Sequence, residues 1–421
     1  MADRFQGEDD NLRSSLLRSR IAKLPHLPAI APSKWKIRGE DPDEQREEED
    51  SLGVLDGMAA PPPRSSAQRY KEGSGSSSTG TSTSRSLDAL YSPLSAEDCF
   101  EEALEVDIDQ NTTAKTRATF RVYYTPSKQK EKSRKGTIFF FHHGAGYSGL
   151  SYALVAKHIV EQTKGEAGVL ALDCRGHGKT IHSQISESEA LSLQNLTNDS
   201  IAILAKMFPP TRPQPTLILV GHSMGGSVVV SLCHALSKAP NGMAPRVAGV
   251  AVLDVVEGSA MAALSSMKTI VSSLPKGFNS VEEAIRWHVD SGTIVNSQSA
   301  RRSVPSLLQK NQATKSFKFI WRANLLATEP YWKGWFQGLS QSFLSVKCAR
   351  LLLLAGTDRL DTDLMIGQMQ GKYQLEVFAD VGHSLQEDAP QRTAQTLIDF
   401  WRRNQGLNLS KIRGGLRKVG E

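Results

Sequence analysis

The sequence predicts an α/β protein: a mostly parallel central sheet, helices on both of its faces, and a helical insertion late in the chain. Three observations carry that prediction. Short, continuous apolar runs recur along the chain, as strands buried on both faces require. Stretches of helical periodicity fall between several of them, the alternation expected when parallel strands are joined by crossover helices. One long, aromatic-bearing stretch then interrupts the rhythm between two of the runs.

Taken in order, ATFRVYYT (118–125) alternates like a half-buried strand, and GTIFFFHH (136–143) reads as a central one. GVLALD (168–173), TLILVG (216–221), VAGVAVLD (247–254) and ARLLLLAG (349–356) repeat the theme. Helical periodicity marks residues 151–162, 200–208 and 224–236. QLEVFAD (374–380) supplies a last strand, and residues 389–403 a last amphipathic helix. Residues 257–346 form the insertion, with Trp287, Trp321, Tyr331, Trp332, Trp335 and Phe336 in it. Its place between two core strands suits a cap over an active site.

The flanks differ. Residues 1–90 contain EDPDEQREEED, APPPRSS and EGSGSSSTGTSTSRS, too little apolar surface to offset the entropy of ordering. This region is expected to be disordered, with one short recognition element at 24–30. The catalytic domain is then 91–404, and 405–421 is a basic tail. Arg402, Arg403, Lys411, Arg413, Arg417 and Lys418 hold much of the formal charge of +6, which reads as solvated charge. No nucleic-acid-binding signature accompanies it, so no nucleic-acid partner is expected. The 421 residues are 39% hydrophobic and 22% charged, ordinary for a soluble globular chain. Its start, MADRFQGEDD, lacks the apolar core of a signal peptide, and no run of about 18 apolar residues exists to span a bilayer. Four cysteines, Cys99, Cys174, Cys233 and Cys348, stand far apart without a CxxC pair. They read as reduced thiols of the cytoplasm or nucleus.

The chemistry centres on Gly221-His222-Ser223-Met224-Gly225, a G-x-S-x-G between an apolar strand and a helix. A sharp strand-to-helix turn lifts Ser223 clear of the sheet, and the flanking glycines let neighbouring backbone pass. That context points to an α/β-hydrolase fold with Ser223 as nucleophile. A serine hydroxyl needs a base, and His383, the last histidine, lies after the last strand where this fold places it. Two carboxylates compete for the acid: Asp358 after the penultimate strand, which position favours, and Asp254 after the strand before. Ala145, in His143-Gly144-Ala145-Gly146, and Met224 are the expected oxyanion donors through their backbone N–H groups. Asp173-Cys174-Arg175-Gly176-His177-Gly178 reads as a structural turn at the rim. No nucleotide fingerprint or metal-ligand cluster appears, so no cofactor is implied.

Three further segments carry a resemblance: LDVVEGSAMAAL (253–264), YWKGWFQGLS (331–340) and LLLLAGTDRLDTDLMIGQMQGKYQ (351–374). With them, residues from about 90 to about 403 resemble the protein phosphatase methylesterase family, in a fungal form. The resemblance implies hydrolysis of the methyl ester on the C-terminal leucine of the type 2A phosphatase catalytic subunit. It also implies direct contact with that subunit around its active site. It places the nucleophile on Ser223, the base on His383 and the acid on Asp254, leaving Asp358 as the alternative. Two rival readings remain: a broad small-molecule carboxylesterase or lipase, and a non-catalytic phosphatase-binding scaffold. Turnover of a short acyl ester separates the first, and a Ser223→Ala variant that keeps every cellular effect identifies the second.

Overall fold

The computed structural model describes residues 89–109, 117–129, 136–182, 191–240, 244–313, 316–356 and 360–405. The regions expected to be a disordered N-terminus and a basic tail lie almost wholly outside them, as does the 24–30 element.

Two antiparallel strands, β1 (Glu102–Asp109) and β2 (Arg117–Thr125), lead into β3 (Thr137–His142), a short 3-10 turn (Gly149–Tyr152) and α1 (Ala153–Gln162). Next come β4 (Ala167–Leu172), the two-residue β5 (Ile181–His182) and α2 (Leu193–Met207). Strand β6 (Thr216–His222), α3 (Met224–Ser237) and β7 (Arg246–Leu253) form the centre of the sheet with its crossover helix. The insertion holds α4 (Glu257–Ser273), α5 (Val281–Asp290), α6 (Ser297–Leu307) and a small hairpin of β8 (Leu308–Lys310) and β9 (Phe319–Trp321). After a second 3-10 turn (Leu326–Tyr331) it ends in α7 (Trp332–Phe336) and α8 (Leu339–Ser345). The chain then completes the sheet through β10 (Ala349–Leu354), α9 (Thr362–Met369), β11 (Gln374–Val377), α10 (Leu385–Asp388) and α11 (Pro390–Gln405).

Among the described residues the main sheet has nine strands, in the order β1-β2-β4-β3-β6-β7-β10-β11 with β5 paired to β2. From β4 to β11 every pairing is parallel, and β2 joins antiparallel to β4. The all-buried runs explain this. In TIFFFH, alternate side chains divide between two cores: Ile138 and Phe140 on one face, Phe139 and Phe141 on the other. Leu217, Leu219, Val250, Val252, Leu352 and Leu354 extend the first core, closed by α2 and α3 through Leu196, Ile203 and Val228. Ile218, Val220, Ala251, Leu253, Leu351 and Leu353 extend the second, closed by α1 and α11 through Ile159, Leu397 and Trp401. The insertion divides its aromatics in the same spirit. Trp332, Trp335 and Phe336 join the first sheet core, while Trp287 and Trp321 pack on a separate small core around Phe278, Ile285 and Val304.

Candidate active site

The candidate residues gather at the C-terminal edge of the parallel strands, where each strand hands over to a loop or helix. Ser223 sits between the end of β6 and the start of α3 with φ 51° and ψ −123°. A non-glycine residue held there stores about 1–3 kcal/mol of strain, which the surroundings must hold in place. They do so with a hydrogen bond from Ser223 N–H to Leu253 O (3.0 Å) and one from Gly226 N–H to Ser223 O (2.8 Å). The glycines are steric necessities: a Cβ on Gly221 would lie 2.1 Å from Gly225 O, and one on Gly225 would lie 2.2 Å from His142 O.

Asp254, directly after β7, also has a positive φ, 49°. Its N–H donates to Leu353 O (2.8 Å) on β10, and its Oδ1 accepts from Ala355 N–H (2.8 Å). Its Oδ2 lies 2.7 Å from His383 Nδ1, so Nδ1 carries the proton and Nε2 is left as the basic nitrogen. Both side chains are buried. Asp358, the other candidate acid, lies outside the described residues.

The loop carrying His383 is fixed from several sides. His222 Nε2–H donates to His383 O (2.8 Å), and burial with the nearby His383 ring pushes His222 down to about 3, so it remains a neutral donor. Asp388 Oδ2 accepts from Gly382 N–H (3.3 Å) while its Oδ1 accepts from Val295 N–H (2.7 Å) in the insertion. Ser384 Oγ and the Tyr147 hydroxyl are 2.8 Å apart. Glu387, fully enclosed one turn further on, accepts from Ser303 Oγ (2.5 Å), and burial raises its carboxyl to about 8.

The loop after β3 passes close to Ser223. A Cβ on Gly144 would lie 2.9 Å from His222 Nδ1 and 3.1 Å from Ser223 Cβ. His143 braces the loop: its Nε2 accepts from Cys174 N–H (3.0 Å) and its Nδ1–H donates to Gly144 O (2.7 Å). His177 braces it too. Its Nε2 accepts from Gly146 N–H (2.9 Å), so its Nδ1 carries the proton toward Arg175 O (3.0 Å). The D-x-R-G-x-G turn is itself anchored by Asp173, which accepts from Gly149 and Lys179 N–H groups at 2.8 Å each. Arg175 adds a two-bond pair with Asp199, both at 2.6 Å.

Ala145, Ser223, Met224, Asp254 and His383 wall one cavity, with Val255, Val256, Ala260, Met267, Trp335 and Phe336 closing its apolar side. The three segments singled out in the sequence meet around it. Glu257 accepts from Gly338 N–H (2.7 Å) and Ser340 N–H (3.1 Å), and Asp361 accepts from Ser340 Oγ (2.5 Å). Sequence reading missed the supporting roles of His222, His143 and Glu257. His222 stood in plain view at the variable position of G-x-S-x-G, but nothing local to a sequence shows that its ring reaches residue 383. Among the described residues, no group of three or more His, Cys, Asp or Glu is arranged to hold a metal.

Comparison with known proteins follows the geometry. The alpha/beta hydrolase family matches residues 139–396. Protein phosphatase methylesterase 1 of Cryptococcus neoformans var. neoformans serotype D is 44% identical over 414 residues, covering 92% of this chain and 92% of that protein. Protein phosphatase methylesterase 1 of Aspergillus fumigatus is 41% identical over 403 residues, covering 94% and 89%. Among solved structures, E-2-(acetamidomethylene)succinate hydrolase superposes with a TM-score of 0.52 at 16% identity, covering 72% of this chain and 100% of that one. This last likeness shows the fold alone.

Proposed function

Because the chain belongs to the protein phosphatase methylesterase 1 family of α/β hydrolases, we propose that it removes the methyl ester from the C-terminal leucine of the type 2A phosphatase catalytic subunit. The observation that carries the mechanism is the His383–Asp254 contact at 2.7 Å in the cavity that Ser223 enters from a strained turn. In this reading His383 Nε2 takes the Ser223 proton as Oγ attacks the ester carbonyl. Asp254 holds the imidazole in the required tautomer and stabilises the imidazolium that forms. The backbone N–H groups of Met224 and Ala145 bind the oxyanion. The Met224 N–H opens α3, and so belongs to the first turn whose donors have no intrahelical acceptor. Gly146 N–H is committed to His177, which favours Ala145 as the second donor. His383 returns its proton to the leaving methoxide, methanol departs, and water resolves the acyl-enzyme by the same relay.

The apolar wall of Val255, Val256, Met267, Trp335 and Phe336 suits a leucine side chain on the acyl half of the ester. A methyl leaving group offers little to recognise, so discrimination in this reading comes from binding the phosphatase subunit itself. The insertion then acts as a cap that contacts the subunit. We place the reaction in the cytoplasm or nucleus, consistent with four free thiols; no described helix is long and apolar enough to cross a membrane. The test compares kcat/KM for a short acyl ester with that for the methylated phosphatase subunit. Higher efficiency on the phosphatase is expected. Efficient turnover of the simple ester with none of the phosphatase would leave a general esterase.

A further inference from the structure

Cys233 and Cys348 are 115 positions apart in the chain, yet their Sγ atoms lie 3.7 Å from one another. Cys233 is near the C-terminal end of α3, the helix that begins after Ser223, and Cys348 directly precedes β10. The pair lines an open surface cavity, with the exposed cationic side chains of Arg246 and Lys347 also lining it. We propose that these two thiols are an oxidisable pair that closes into a disulfide by exchange with a small anionic disulfide such as glutathione disulfide.

Either sulfur can donate in this contact, so the S–H of one stabilises the thiolate of its neighbour. That thiolate is the attacking species. Its sulfur bonds to one sulfur of glutathione disulfide, the old S–S bond breaks, and one glutathione leaves as thiolate. The second cysteine of the pair then loses its proton and attacks the first one's sulfur in the mixed disulfide, releasing the second glutathione. The pair gives up two electrons and two protons, and glutathione disulfide becomes two glutathione thiols. Arg246 and Lys347 suit the carboxylates of that oxidant. Closing the bond brings the sulfurs from 3.7 Å to about 2.05 Å.

The other two cysteines provide internal controls. Cys99 donates to Asp98 Oδ1 (3.4 Å) and is raised to about 12 by burial and that carboxylate. Cys174 is buried beside His177 (3.3 Å) and burial raises it too. Neither is a ready thiolate. The bridge would tie the nucleophile's helix to the strand behind Asp254, and close a long loop in the unfolded chain.

The test treats the native full-length protein with glutathione disulfide, alkylates the remaining thiols after denaturation, and maps the peptides by mass spectrometry. A peptide linking Cys233 to Cys348, with Cys99 and Cys174 alkylated, is the expected result. Cys348→Ser and Cys233→Ser should form no bridge, each stopping at a glutathione adduct on the remaining thiol of the pair. Oxidised wild type should melt about 5–10 °C above the reduced form, and Cys233→Ser should show no such rise. Recovery of Cys233 and Cys348 as free thiols, or as two separate glutathione adducts, would overturn the proposal. Esterase turnover is measured on the same samples, so loss of that activity is read independently of the bridge.

Discussion

At the scale of single residues, strain marks the chemistry. Among the described residues three non-glycine positions have positive φ: Lys164, Ser223 and Asp254. Two of them are the proposed nucleophile and acid, held at the ends of the adjacent parallel strands β6 and β7. Replacing Asp254 by Asn keeps the volume but lets the ring adopt the wrong tautomer. A loss of about 10⁴ in kcat, with an unchanged melting temperature, is expected from steady-state kinetics and calorimetry. Gly144→Ala tests the close approach of the loop proposed to hold an oxyanion donor. Its new Cβ would press on His222 and Ser223 at 2.9 and 3.1 Å and displace that loop. Kinetics should show kcat down by about 10²–10³ while the protein still folds. Gly225→Ala meets backbone instead, 2.2 Å from His142 O, and should fail to give folded protein by circular dichroism.

At the scale of elements, the insertion is where motion is expected. Helix α4 walls the cavity through Ser259, Ala260, Ala263 and Met267, yet none of its residues is fully buried. By contrast, nine residues of α3 are buried. Hydrogen exchange should find the α4 amides opening far faster than those of α3, and slowing when the phosphatase subunit binds. Equal protection of the two helices would show α4 to be a fixed wall. Glu257→Ala should speed exchange at the start of α4 further, because it frees the Gly338 and Ser340 amides. The same contrast explains what the sequence disclosed. Strands such as TIFFFH are legible because burial on both faces leaves an unbroken apolar run. The sequence reading missed β1, EALEVDID, because this edge strand keeps acidic side chains on its exposed face. It missed the β8–β9 hairpin because three-residue strands carry no period. Ser223 and His383 were singled out from position in the chain, and the structure brings both to one cavity. The acid was left open by position, since two strands each end in a carboxylate, and it was the family resemblance that pointed to Asp254.

At the scale of the molecule, buried ionisable groups set how stability follows pH. Burial pushes His142 and His288 down to about 4 and His222 to about 3. In the unfolded chain each titrates near 6.5, so below that pH the unfolded state binds the extra protons. Stability is therefore present above about pH 6.5 and falls on acidification, by up to about 1.4 kcal/mol per pH unit for each histidine. Glu387 acts in the opposite direction. Its folded value of about 8 exceeds an unfolded value near 4.3, so its burial costs progressively more as pH rises through that window. Calorimetry should show wild type melting lower at pH 5 than at pH 7. Glu387→Gln should gain on wild type steadily from pH 5.5 to 8; a constant gap would show that this carboxyl is not neutral in the fold.

The measurement that bears most directly on the whole reading is methanol release from the carboxymethylated type 2A phosphatase subunit by wild type, Ser223→Ala, Asp254→Asn and Asp358→Asn. Release by wild type and Asp358→Asn, and its loss in the other two, is the predicted result. Release that survives in Ser223→Ala, or none from wild type while simple esters are cleaved, would contradict it.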